Sequence, residues 1–178
     1  MRIIAGSERG RRLESPEGRT ARPTLDRVRE NLFNILMPRL ENALFLDLFA
    51  GTGAIGLEAL SRGAARAVFV ESDDQMLAVL RRNMALCKFE DRAAVYRLRL
   101  PVGMGVLGGP YDLVFADPPW NHTGYGELLE TLSRERLVRE GGWIVLESAA
   151  KTPPPETGGP WTAFRRKQYG ETMLTFYA

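Results

Sequence analysis

The chain has 178 residues, enough for one domain with a sizeable core, and its 44% hydrophobic and 26% charged content is that of an ordinary globular protein. A single cysteine, Cys87, excludes an intrachain disulfide and a cysteine-built metal cluster and fits a reducing cytoplasm. The net charge of +2 is too small to argue for nucleic acid by itself, no apolar run has the length of a membrane span, and the start carries no secretory pattern.

The first 29 residues hold Arg2, Arg9, Arg11, Arg12, Arg19, Arg22, Arg27 and Arg29 against Glu8, Glu14, Glu17 and Asp26, punctuated by Gly6, Gly10 and Gly18. They read as a short hairpin and an extended basic arm (1–23) ahead of one core domain (24–178). Guanidinium forks on such an arm match phosphate oxygens; the plain alternative is a solvated hairpin with scattered salt bridges. Thr24 or Asp26 caps a helix reaching about Met37, with Val28, Leu32, Ile35 and Leu36 on its apolar side, and Pro38 ends it.

A short apolar strand (43–48) leads into Asp47-Leu-Phe-Ala-Gly-Thr-Gly-Ala-Ile-Gly56 and then a helix (54–62). Gly51, Gly53 and Gly56 have the G-x-G-x-x-G spacing: the first two let a ligand approach the backbone and the third lets helix and strand pack. That pattern alone is weak. Asp47 sharpens it, because a carboxylate there repels a pyrophosphate and suits a ligand with an ammonium group. The next strand (67–71) ends in Glu71, placed to accept both ribose hydroxyls of an adenosine. A helix from about Asp73 to Cys87 starts with two acids that complement its dipole, and Cys87 reads as a buried small residue. After a strand near 93–98, the glycine-rich stretch 103–110 leaves little room for a crossover helix.

The apolar run Tyr111–Ala116 reads as a buried strand that ends at Asp117-Pro118-Pro119-Trp120. Two prolines cannot continue a ladder, so carbonyls after Asp117 are left pointing outward. A carboxylate, fixed carbonyls and a flat aromatic suit a planar group bearing an NH2; an ordinary proline turn with a core Trp is the bland alternative. Asn121 and His122 follow, and the sole histidine reads as an exposed or merely polar turn residue. Tyr125 faces a ligand or packs at the start of a helix (125–138), which is followed by a strand (142–147). Residues 151–160, with four prolines and two glycines, form a surface loop, and 164–168 and 173–177 form an antiparallel strand pair. Arg165, Arg166 and Lys167 could add to the phosphate-facing basic surface; the plain reading is a solvated charge run. The alternation predicts an α/β, Rossmann-like single domain: a mostly parallel sheet with helices on both faces. Asp47, Glu71 and Asp117 then share one crevice at the strand ends.

Together these residues resemble the class I S-adenosylmethionine-dependent methyltransferases and, more closely, the bacterial 16S rRNA guanine-N2 methyltransferase family of the RsmD type. The resemblance covers Met1–Gly6, Arg22–Leu36, Asp47–Ala64, Phe69–Glu71, Asp117–Trp120, Gly141–Glu147 and Tyr169–Thr172, with Arg22–Leu36 its most family-specific block. Two departures stand out: the family's Asp after the third strand is replaced by Tyr96-Arg-Leu-Arg-Leu-Pro101, and its terminal Tyr of the proline motif by Trp120.

The resemblance implies S-adenosyl-L-methionine as methyl donor, held by Asp47, Phe49, Gly51, Gly53, Glu71, Ser72 and Asp117. It implies Asp117, Pro118 and Trp120 as the catalytic set. Arg9, Arg11, Arg12, Arg22, Arg29, Trp120 and Tyr125 would face RNA. The expected partner is small-subunit ribosomal RNA, free or within an assembling particle, met by a cytoplasmic monomer that uses no metal. Two rivals stay open: a DNA adenine-N6 or other amine or amide N-methyltransferase, and a non-catalytic RNA-binding assembly factor. No separate target-recognition domain is visible for the first, and the presence of both Asp47 and Asp117 argues against the second.

Overall fold

A computed structural model describes residues 1–16, 23–119 and 122–178, with the backbone alone for 23–25. The strands are β1 (Leu44–Leu48), β2 (Arg66–Glu71), β3 (Ala93–Arg97), β4 (Tyr111–Ala116), β5 (Val138–Ala149), β6 (Thr157–Gly158), β7 (Trp161–Tyr169) and β8 (Thr172–Tyr177). They form one sheet in the order β3-β2-β1-β4-β5-β8-β7-β6. The first five are parallel, and β8 enters antiparallel between β5 and β7. Strand order reverses between β1 and β4, which opens a crevice at their carboxyl ends.

The helices are α1 (Pro23–Leu36), α2 (Ala54–Ser61), α3 (Asp74–Leu86) and α4 (Tyr125–Arg134). One face of the sheet, carrying Phe45, Phe69, Leu113, Phe115 and Phe176, is covered by α1 to α3 through Val28, Leu32, Leu57 and Leu80. The other face, with Leu46, Leu48, Val114 and Leu146, is covered by α4 and a single helical turn at Met104–Leu107. Strands buried on both faces must be apolar at nearly every position, which is why β1 and β4 read as continuous apolar runs. Each wholly buried Leu or Phe contributes roughly 1.5–3 kcal/mol. The turn at Met104–Leu107 is all that crosses from β3 to β4, so the expected shortened crossover is present.

Two expectations need correcting. α1 begins at Pro23, so Thr24 and Asp26 lie inside its first turn; proline suits that opening position because its missing N–H would be unpaired there anyway. α4 stops at Arg134 rather than continuing to 138, and β5 begins at Val138 rather than 142. Arg136 adopts φ 53°, so that its N–H bonds Ser133 O at 3.0 Å while Leu137 N bonds Leu132 O at 3.0 Å. This left-handed closure usually carries glycine, and the arginine hid it. Residues 1–13 form a hairpin, with Ile3 N on Arg11 O and Gly10 N on Ile3 O, both at 2.9 Å. It is docked rather than free: Ile3 is fully buried, and Glu58 on α2 accepts from Ile4 N at 2.8 Å and Ala5 N at 3.0 Å.

Candidate active site

The glycine turn links β1 to α2. Phe49, the first residue after β1, has φ 60°, a strained conformation for a bulky side chain, and two residues on Gly51 has φ 54°. A Cβ added to Gly51 would meet nothing within 4 Å, so the turn is open on its ligand side there. At Gly56 the same atom would lie 2.3 Å from the Phe69 ring, so this glycine serves helix–sheet packing. The turn is pinned from behind by Asn83 on α3, which is fully buried and donates to Thr52 O at 3.0 Å and to Glu14 O at 3.1 Å.

Carboxyl groups gather in front of this turn. Asp47 pairs in register with Phe69 and Phe115, and Ala116 with Leu48 and Leu146. Asp117 therefore follows directly at the end of β4, beside Glu147 on β5 and one strand from β1. An open cleft of about 190 Å³ is lined by Asp47, Phe49, Gly51, Asp117 and Glu147 on the sheet side and by Val28, Arg29 and Leu32 of α1 opposite. Asp47 is 1% exposed and accepts from Gly56 N at 2.8 Å. Burial pushes its carboxyl up to about 8; the Gly56 N–H opposes this, while Asp117 and Glu71 add to it. Burial also raises Glu147 to about 8, with the Asp117 charge as the second cause.

Asp117 is crowded by protein, which raises it toward about 6, yet its side chain remains open to solvent. Water screens an exposed carboxyl, so this rise carries less weight than that of Glu147. Glu71 closes the row at the end of β2, oriented by the amides of Gly51 (2.8 Å), Ser72 (2.7 Å) and Asp73 (2.9 Å). A cleft faced by this many acids favours a cationic ligand.

The structure gathers Asp47, Phe49, Gly51 and Asp117 around the cleft; Glu71 stands at the end of β2 with Ser72 exposed just beyond, whereas Gly53 serves packing rather than ligand approach, since an added Cβ would lie 2.1 Å from Leu80 Cδ1. Pro118 is buried behind Asp117, while Pro119 O accepts from His122 N at 2.8 Å. Trp120, Asn121 and Arg22 lie outside the described residues. Arg9, Arg11 and Arg12 are exposed on the hairpin, and Arg11 is paired with Glu8 at 2.8 Å. Arg29 is not a surface RNA contact: it is 4% exposed, donates to Arg2 O and Asp26, and sits 4.0 Å from Glu58. It ties hairpin, α1 and α2 together, and burial lowers its pKa.

Tyr125 is buried at the start of α4, so it packs rather than reaching outward. His122 is not an exposed turn residue either. Its ring packs edge-on against Phe49 and Tyr125, with centroids at 5.9 and 5.1 Å. Where the family's acid would follow the third strand, Tyr96 and Leu98 pack on the core and Arg97 bonds Asp74 at 2.8 Å. Sequence reasoning did not single out Glu147 as a site residue. The available signal was its place as a further acid at a strand's carboxyl end, after Asp47, Glu71 and Asp117.

The whole chain, residues 1–178, matches the family model described as conserved hypothetical protein 95. Ribosomal RNA small subunit methyltransferase D of Escherichia coli is 39% identical over 183 residues, covering 99% of this chain and 89% of its own. The Haemophilus influenzae protein of the same name is 34% identical, covering 99% of this chain and 93% of its own. The solved structure of yhhF from Escherichia coli, which bears the name methyltransferase, superposes with a TM-score of 0.86 at 38% identity, covering 99% of this chain and 96% of that one. Full-length agreement in sequence and in backbone places the chain without remainder: it belongs to the RsmD-type family and carries the class I methyltransferase fold.

Proposed function

We propose that the protein transfers the methyl group of S-adenosyl-L-methionine to the N2 amine of a guanine in small-subunit ribosomal RNA. The observation that carries this reading is placement. The carboxyl that opens the proline motif, Asp117, shares one cleft with Asp47 and the open glycine turn. The methyl donor supplies a sulfonium-activated methyl group, so no metal or covalent enzyme intermediate is needed. Asp47 and its acidic neighbours offset positive charge at the donor's amino-acid end, Gly51 lets it lie against the backbone, and Glu71 accepts from its ribose.

The guanine leaves its stack at a cost of a few kcal/mol and enters beside Trp120, where stacking returns about 1–3 kcal/mol. Guanine N2 is a poor nucleophile because its lone pair is delocalised into the ring. Asp117 and the Pro118 carbonyl accept its two hydrogens, favour a pyramidal nitrogen and orient the lone pair. The same acceptors stabilise positive charge developing on nitrogen. Asp117, already bonded to the amine, takes the proton as the new bond forms.

The test is transfer of labelled methyl into small-subunit rRNA, free and in particles, with DNA and protein as controls. Label in rRNA guanine is expected; label only in DNA adenine or in protein would overturn the substrate assignment. Asp117→Ala should lower kcat by about 10²–10³-fold while S-adenosylhomocysteine binds within about threefold of wild type. Undiminished turnover would remove Asp117 from the amine.

A further inference from the structure

Of the carboxyls that line the cleft, Asp47 accepts from Gly56 N and Asp26 from the Arg29 guanidinium. Asp117 and Glu147 accept from no group among the described residues, and of these two Glu147 is the buried one, 8% exposed. A mostly buried carboxyl whose one open side faces a cleft is placed to accept from a donor that arrives there. The rise of Glu147 to about 8 says the same in electrostatic terms: nothing in the protein compensates its charge.

Position says which donor. Ala116 pairs with Leu146, so Asp117 and Glu147 stand side by side on adjacent parallel strands and face the same way. Neighbouring strands are about 4.8 Å apart, so a planar group held by one carboxyl presents its adjoining edge to the other. On guanine the amine adjoins N1–H, a second donor. On adenine and cytosine the amine adjoins a bare ring nitrogen, which Glu147 repels in its ionised form; the proton it holds in the empty cleft is disfavoured once the sulfonium of the methyl donor and the guanine N1–H are beside it.

We propose that Glu147 reads the base, accepting N1–H of the guanine whose amine Asp117 holds, and so selects guanine against adenine and cytosine. This rests on the guanine-N2 reading above and assigns its specificity.

The test uses the full chain with rRNA bearing either guanine or 2-aminopurine at the modified position. 2-Aminopurine keeps the amine but has an acceptor at N1. A site built around a donor rejects an analogue lacking it, so wild type should prefer guanine in kcat/KM by about 10–100-fold. In Glu147→Gln the carboxamide can donate to that acceptor, and the preference should collapse to within about threefold, chiefly through slower guanine methylation. Glu147→Asp, which keeps the acceptor, should retain a preference for guanine. Fluorescence of the 2-aminopurine gives a second readout, since Glu147→Gln should hold the unstacked base more tightly than wild type without turnover.

A wild-type preference left intact in Glu147→Gln would overturn the proposal. So would an unchanged preference accompanied by weakened S-adenosylhomocysteine binding, which would put the carboxyl on the donor's ammonium group. Absence of wild-type transfer to either RNA would overturn the guanine-N2 reading itself, a failure distinguishable from the others.

Discussion

Asp47 has one hydrogen bond to its carboxyl, from Gly56 N at 2.8 Å, and almost no water. An acid whose folded pKa lies above its unfolded one binds its proton more tightly in the fold. Its stabilising contribution is complete below about 3.8 and is lost as pH climbs through about 8. Glu147 acts in the same direction, from 4.5 to about 8. The ligand-free protein should therefore lose stability across the neutral range. Asp47→Asn keeps an acceptor for Gly56 and removes the charge. Its melting temperature should equal that of wild type near pH 4, pull ahead by several degrees as pH rises, and stop gaining above about pH 8. Thermal melts of both proteins along a pH series check this; a gap that does not vary with pH would show that Asp47 is not the group titrating. The same variant should bind the cationic donor more weakly, so the residue that costs the empty protein stability is the one the ligand needs.

Glu58 shows how a side chain on one element fixes another. Its buried carboxylate holds two hairpin amides, the Arg62 guanidinium at 2.7 Å, and the nearby charge of Arg29. Removing one member of such a network leaves the others buried and uncompensated, at roughly 3 kcal/mol. Glu58→Gln should accordingly lower the melting temperature by about 6–12 °C and speed hydrogen exchange at Ile4 and Ala5 before the sheet opens. Protected hairpin amides in that variant would mean the hairpin is held by Ile3 and Leu13 alone. Alternating strands and helices, the glycine turn and the proline motif were legible in sequence because each follows from local periodicity or turn chemistry. What was illegible depends on pairing. The end of α4 was hidden by an arginine where glycine is expected. The inward turn of Arg29 depends on Glu58, 29 residues further along the chain. The role of Glu147 appears only once β4 and β5 are in register, and His122 gains its aromatic neighbours from two distant elements, the glycine turn and α4.

Charge is divided across the molecule in a way the net value of +2 conceals. The cleft holds acids, while the hairpin beside it presents Arg2, Arg9, Arg11 and Arg12 to solvent. A polar groove between hairpin and α1 is lined by Arg2, Arg9 and Arg27 and shares Asp26 as a wall with the cleft. An RNA strand whose phosphates follow the hairpin would thus bring a base to the cleft mouth, while the acids inside discourage phosphates from entering. Not every arginine should count equally. Arg11 is already paired with Glu8 at 2.8 Å, whereas Arg9 and Arg12 form no salt bridge among the described residues. Removing one arginine–phosphate ion pair should lower the slope of log affinity against log salt by about 0.7–0.9. Arg9→Ala and Arg12→Ala should each reduce the slope by about that amount and weaken RNA binding, with Arg11→Ala smaller and S-adenosylhomocysteine binding unchanged in all three. Filter binding to an rRNA fragment over a salt series measures the slopes. Equal slopes in wild type and in Arg9→Ala/Arg12→Ala would move the RNA path off the hairpin.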